Sequence, residues 1–276
     1  MKSAYLINEL NEKYNLRNFK DTTLIQRLNG LGYENELSYV RVGNYYKRDN
    51  KEIKQGELSG TLVFDDYLKY QNFIDYIERS QNLRIIYRPL DTEYYRDVDF
   101  KAITNVIKNR GTIECELVLC CKSLYYTEDN KRFVIEEMEG ESRYSMPFPF
   151  QFNDYSSVAV AYNNTGHIEG EIIAEIYGYT QKPSIELYLR DKLKYKVVFD
   201  ITIEKGQKLI YSARNGNNYV ALEDEEGNQI NIPNCLKLEN DNFFKLPTGF
   251  SRLKITSDTG NINKIVFRII TAYKGV

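Results

Sequence analysis

The sequence predicts a mainly β protein of two domains, the first an antiparallel β-sheet or sandwich with one helix and the second a β-sandwich. Three observations carry this expectation. Apolar and polar residues alternate in short runs along most of the chain, as in GELSGTLVF (56–64), ECELVLCC (114–121) and EIIAEIYGY (171–179), which is the period of a half-buried strand. Turn-forming clusters such as NNTG, EKGQ, RNGNN and SDTGN divide the runs, and their Gly, Asn and Asp residues supply the backbone conformations that tight turns need. One stretch, 66–79, instead spaces its apolar residues at three and four, the period of a helix.

Taken in order, residues 4–8 and 22–28 are short apolar-rich runs, and ELSYVRVGNYYKR (36–48) and 56–64 read as strands. In the helical stretch Tyr67, Tyr70, Phe73, Ile74 and Ile77 fall on one stripe, with Asp66, Lys69, Asp75, Glu78 and Arg79 mainly outside it, so the stripe needs a sheet to cover. Asp65 or Asp66 can accept from the first-turn amides and Asp75 can pair with Arg79, which supports the start and the polar face locally. LRIIYRP (83–89) is a strand stopped by Pro89, a further strand covers 95–108, and NRG (109–111) turns into 112–126.

Between Thr127 and Asp154 the pattern gives way to charge and then to SMPFPFQFND, where Pro147 and Pro149 hold the chain extended. The domain boundary is expected there, giving domains 1–140 and 141–276. Beyond it VAVAY, EIIAEIYGY, SIELYLR, KYKVVFDITI, KLIYSA, NYVALED, FKLP, SRLKITS and NKIVFRIITAY follow at short, fairly regular intervals, for which a two-sheet antiparallel sandwich is the economical solution.

Composition narrows the function. At 276 residues each half can bury a core of its own, and 42% hydrophobic with 28% charged residues is the balance of a globular protein. A net charge of −2 supplies no overall field toward nucleic acid or an anionic membrane. Glu9 and Glu12 interrupt the apolar core a signal peptide would need, so synthesis in the cytoplasm is expected. Tyrosine is abundant, at 24 residues, and Trp is absent; tyrosine favours protein interfaces, although an AT-rich genome gives the same bias.

No arrangement of reactive residues reads as a catalytic site. His167, in NNTGHIEG, is the one imidazole, and no nucleophile elbow accompanies it. Glu136, Glu137, Glu139 and Glu141, and again Glu223, Asp224, Glu225 and Glu226, form acidic runs; a glycan hydrolase would need two such groups across a cleft, and both runs read as linker or hairpin surface. Asp97 and Asp99 alternate in a strand but give too few donors for a cation. Cys115 and Cys121 share a strand face roughly 20 Å apart, Cys120 points the other way, and with Cys235 they read as buried reduced thiols. GLG (30–32) is no dinucleotide fingerprint, and NYYKR (44–48), whose aromatics interleaved with basic residues would suit base stacking, sits at the end of a strand before a charged hairpin tip, where loop solvation explains it more simply. Catalytic residues, cofactors and metals are therefore expected to be absent.

GLGYENELSYVRVGNYY (30–46), GELSGTLVFDDYLKYQNFIDYI (56–77), LRIIYRP (83–89), YYRDVDFKAI (94–103) and GTIECELVLCCKSLYY (111–126) together resemble the amino-terminal domain of the phage distal tail protein family, the Sipho-type tail component. NNTGHIEGEIIAEIYG (163–178), LIYSARNGNNYV (209–220) and NFFKLPTGFSRLKI (242–255) resemble its carboxy-terminal domain. One departure is Leu124-Tyr125-Tyr126, where such proteins often carry a tryptophan before the final tyrosine. The resemblance implies a structural protein of the virion tail tip or of a tail-like bacteriocin, assembled in the host cytoplasm. It implies a homo-hexameric ring whose wall is the first domain, joining the tail tube protein to the tail hub. The second, galectin-like sandwich would dock receptor-binding or other baseplate proteins. A carbohydrate-binding baseplate component is the alternative, weakened because a galectin sugar site uses a tryptophan and this chain has none.

Overall fold

The computed structural model describes residues 3–18, 23–109, 111–134, 157–237, 242–260, 262 and 264–276. The chain forms two compact units, Met1–Thr127 with Ala272–Val276, and Glu128–Thr271. The boundary expected at 140/141 and the Pro147–Pro149 segment lie outside the described residues.

The first unit contains β1 (Ser3–Asn8), β2 (Lys13–Asn15), β3 (Arg17–Asn18), β4 (Thr23–Asn29), β5 (Asn35–Val42), β6 (Tyr45–Ile53), β7 (Glu57–Phe64), α1 (Tyr67–Arg79), β8 (Leu83–Arg88), β9 (Tyr94–Asn109), β10 (Thr112–Cys121) and the start of β11 (Tyr125–Val134). An antiparallel ladder runs β3-β4-β7-β10-β9-β8-β1-β2. Long β9 serves both halves of it, pairing with β8 over Tyr94–Val98 and with β10 from Val98 onward. Alternation fixes the buried face: Leu58, Leu62 and Phe64 of β7 lie opposite Leu119, Cys115 and Ile113 of β10, and all six are buried.

Helix α1 covers that face. Asp66 caps it by accepting from the Lys69 amide at 2.8 Å, which satisfies one of the first-turn donors. The stripe that meets the sheet is Phe73, Tyr76 and Ile77, with Tyr70 and Ile74 partly buried. Tyr67 is exposed, because it lies one turn too early to reach the sheet, and Tyr76 takes the inward place instead. Phe73 sits between Tyr14 and Phe64, ring centroids 4.9 and 5.6 Å away, and Tyr76 donates to the Glu12 carbonyl at 3.1 Å. The expected Asp75–Arg79 pair takes another form: Arg79 Nε donates to the Asp75 backbone carbonyl at 2.9 Å. Past the helix, the Glu9 carboxylate accepts from the amides of Gln81 at 3.1 Å and Asn82 at 2.9 Å, which holds its carboxyl below the usual range, Asn82 contributing most.

The second unit contains the rest of β11, then β12 (Ser157–Asn164), β13 (Glu171–Tyr177), β14 (Thr180–Gln181), β15 (Ser184–Leu189), β16 (Lys192–Val198), β17 (Thr202–Ile203), β18 (Lys208–Arg214), β19 (Asn217–Glu223), β20 (Gln229–Asn231), β21 (Gly249–Thr256), β22 (Thr259–Gly260) and β23 (Lys264–Tyr273). Two antiparallel ladders, β20-β19-β18-β13-β23 and β12-β21-β15-β16, face each other across one core. Ile172, Ala174 and Ile176 of β13, Phe267 of β23, Leu253 of β21 and Leu187 of β15 all enter it. This is the sandwich the alternation predicts. FKLP differs, forming an isolated bridge in which Leu246 exchanges hydrogen bonds with Gly170 at 2.7 and 2.9 Å. Tyr211 closes the core, stacked on Phe243 at 5.7 Å and accepting from the buried Phe244 amide at 3.3 Å.

Candidate assembly surface

The stretch expected as one strand at 36–48 is a hairpin. Gly43, at φ +63°, begins the two-residue turn that sends β5 back along β6, and glycine adopts this conformation without the steric penalty of a side chain. The ribbon forms a sheet of its own, and every residue from Glu36 through Glu52 is exposed. Its register places Tyr39 opposite Arg48 and Arg41 opposite Tyr46, so one face carries two tyrosines and two arginines. The opposite face pairs Val40 with Lys47 and Val42 with Tyr45.

Tyr39, Tyr45 and Tyr46 are 53%, 65% and 69% exposed. A two-stranded ribbon with both faces in water is at best marginally stable alone, and Tyr and Arg are enriched at protein interfaces while Lys and Glu are depleted. NYYKR, expected at the end of a single strand, instead starts in the Gly43-Asn44 turn and continues into the return strand β6. The Gly-Asn dipeptide between VRV and YYK was the signal that could have found it.

The structure disperses the other residues singled out in the sequence. His167 is exposed on a turn organised by Asn164, whose side chain donates to the Leu246 carbonyl at 3.0 Å and accepts from the Gly166 amide at 2.9 Å. Asp97 accepts from Arg84 Nε and from the Tyr126 hydroxyl, both at 3.0 Å, and Asp99 pairs with Lys122 at 3.2 Å. Each carboxylate thus answers to its own donors instead of sharing a cation. Glu223 takes the Lys208 ammonium at 2.7 Å. Asp224 accepts from the Glu226 and Asn228 amides at 3.0 and 2.8 Å and shapes the β19–β20 turn. Glu136, Glu137, Glu139 and Glu141 lie outside the described residues. Gly30, at φ +85°, has its α-carbon against the Glu57 carbonyl, leaving no room for a side chain. Cys115, Cys121 and Cys235 are buried free thiols and Cys120 is half-buried; burial pushes Cys115 and Cys235 up to about 11. Among the described residues no cluster of three or more His, Cys, Asp or Glu is placed to hold a metal ion.

Residues 3–122 match the family model described as the distal tail protein, N-terminal domain. A chain of the phage P2 baseplate in its activated conformation with Ca aligns over 100% of both chains, at a TM-score of 0.64 and 12% identity. The same baseplate with Sr gives 0.63 and 12%, again over 100% of both. The Dit protein of phage SPP1, described as a paradigm of the hub adsorption apparatus in Gram-positive infecting phages, covers 96% of this chain and 98% of its own at 0.64 and 14% identity. No curated protein matches the sequence. At these identities the structural likeness carries the fold alone, and the family resemblance rests on the first domain, which matches the distal tail protein N-terminal domain over residues 3–122.

Proposed function

We propose that this chain is a structural, non-enzymatic subunit of a phage tail tip or tail-like particle, six copies closing into a ring that joins the tail tube to the hub. The observation that carries the reading is the uncovered β5–β6 ribbon on the domain that matches the distal tail family. In a ring each subunit offers one surface to a different surface of the next, and closure requires a protomer stiff enough to repeat one rotation. The buried α1 supplies that stiffness by locking β7 and β10 under Phe73, Tyr76 and Ile77. A contact of this kind needs roughly 1,000 Å² or more per pair, and the ribbon contributes with both of its faces. The second unit, a galectin-like sandwich in this reading, docks other baseplate proteins.

Negative-stain images of assembled particles carrying a labelled copy of this chain are expected to show it in a six-fold annulus at the tail end. Label located outside any annulus sinks the reading. A Tyr39→Ser/Tyr46→Ser variant removes two exposed aromatic anchors without touching either core. It is expected to keep its monomer stability and to lose ring formation by about 30-fold or more, since interface aromatics commonly contribute over 1 kcal/mol each.

A further inference from the structure

The register of the β5–β6 hairpin sorts its charges by face. Residues directly opposite in an antiparallel pair share a face, so Leu37 with Lys51, Tyr39 with Arg48 and Arg41 with Tyr46 make up one side of the ribbon. That side carries three cations and no carboxylate. Glu36 and Glu52 lie on the other side, and Asp49 occupies the bulge between Arg48 and Asn50. Among the described residues Arg41, Arg48 and Lys51 make no ion pair; Arg41 Nε donates to the Gly43 carbonyl at 3.0 Å.

The outer face of the first unit's sheet has the opposite sign. Helix α1 covers one face of β7 and β10, and alternation turns Val63, Glu114, Glu116 and Val118 to the other. Glu114 stands between Val63 and Ile107, and Glu116 between Thr61 and Thr104. Glu114 is exposed and Ile107 is 58% exposed, so apolar surface lies in water beside a carboxylate. The other acidic groups on this face have cations of their own, Glu57 with Lys101 at 2.5 Å and Asp99 with Lys122 at 3.2 Å. Glu114 and Glu116 make no ion pair among the described residues; Glu116 accepts from the Asn105 side-chain amide at 3.1 Å.

The two sets of charge agree in spacing as well as sign. Arg41 and Arg48 are diagonal neighbours across the hairpin, about 7–8 Å apart. Glu114 and Glu116 are two residues apart along β10, about 7 Å. Within one copy the sets do not meet. We propose that the basic face of the ribbon lies across the outer β7-β10-β9 face of a second copy, with Arg41 and Arg48 on Glu114 and Glu116 and the Tyr39 and Tyr46 rings against Val63 and Ile107. A guanidinium fork binds a carboxylate through two parallel N–H···O bonds, and tyrosine covers a large apolar area beside them with a rigid ring. One surface of each copy meets a different surface of the next, a head-to-tail contact able to continue around a circle. The inference rests on the ring reading and names the two surfaces of its contact.

Sedimentation velocity of the full-length chain tests it. The wild type is expected to self-associate, and to do so more weakly as salt rises. Arg41→Glu/Arg48→Glu and Glu114→Arg/Glu116→Arg each set like charges against one another, and each variant alone is expected to associate about a hundredfold more weakly or worse. An equimolar mixture of the two variants has opposite charges at every mixed contact. It is expected to associate like the wild type, with the variants in equal numbers. Thermal unfolding of each variant should match the wild type, because the replaced side chains lie outside the core; if the β10 double variant does not fold, Glu114→Arg alone, at the exposed position, takes its place. Wild-type association in either variant, no recovery on mixing, or a wild type that stays monomeric at every concentration overturns the proposal. Assembled particles that show the six-fold annulus while the mixture fails to recover separate the two readings: the ring stands and this contact falls.

Discussion

Replacing Phe73 by alanine tests the claim that α1 makes the first unit rigid. The side chain is fully buried and its ring touches Tyr14 and Phe64. A buried aromatic removes roughly 150–250 Å² from water, and at about 25 cal/mol per Å² this is a ceiling of ~4–6 kcal/mol. The methyl group retained by alanine and partial collapse of the cavity bring the expected loss to about 3–5 kcal/mol. Ile74, only partly buried beside it, should lose about 1–2 kcal/mol as alanine, because less of its surface leaves water. Hydrogen-exchange mass spectrometry across a urea series reads the two units separately. Peptides covering 57–79 and 112–121 should lose protection at lower urea in Phe73→Ala, while those of 184–198 and 208–223 keep theirs. A Phe73→Ala chain within about 1 kcal/mol of wild type in the first unit, or an equal loss in both units, would refute the reasoning: the helix would then not be packed on β7 and β10, or its packing would not be local.

Three further outcomes follow from buried polar and ionisable groups. Tyr211→Phe removes the acceptor of the buried Phe244 amide, and leaving that donor unsatisfied is expected to cost the second unit about 1–3 kcal/mol by urea denaturation. Glu186 is desolvated, which raises its carboxyl, but Lys196 at 2.8 Å and the Tyr188 hydroxyl at 2.7 Å prevail and hold it below its ordinary 4.5. Its contribution is thus full above that value and fades as pH falls through the lower folded one. The stability gap between wild type and Glu186→Gln should be widest near neutrality and close in acid; a gap independent of pH speaks against the ion pair. With Cys115, Cys121 and Cys235 buried and pushed upward by desolvation, a thiol reagent at pH 8 should label Cys120 first in the native chain and all four cysteines only after denaturation.

Local pattern carried much of the fold. The period of two in β7, β10 and β13 marked each as a half-buried strand, as the structure has it, because a strand's faces depend only on its own alternation. The helix start was legible too, since Asp66 caps through an amide three residues away. The inward stripe was right apart from its first residue: Phe73 and Ile77 are buried and Tyr70 and Ile74 pack against the core, but the choice between Tyr67 and Tyr76 depended on where the sheet ends. For the candidate surface the sequence supplied the tyrosines and the resemblance, while the hairpin was read as one strand because Gly43-Asn44 was not weighed as a two-residue turn.

What the sequence determined by itself is most of the strands, their alternation, one capped helix and the absence of a recognisable catalytic pattern, all encoded within a few residues of one another. Tertiary structure decided which strands pair, and that Tyr273 returns to pack its ring 5.2 Å from Tyr94 while the Val276 amide donates to the Leu31 carbonyl at 3.3 Å. It also decided that the 35–53 ribbon stays in water and that Arg96 does not. Burial depends on what the rest of the chain places against a residue, so an arginine in an alternating strand and a tyrosine in another look alike until the neighbours are in position.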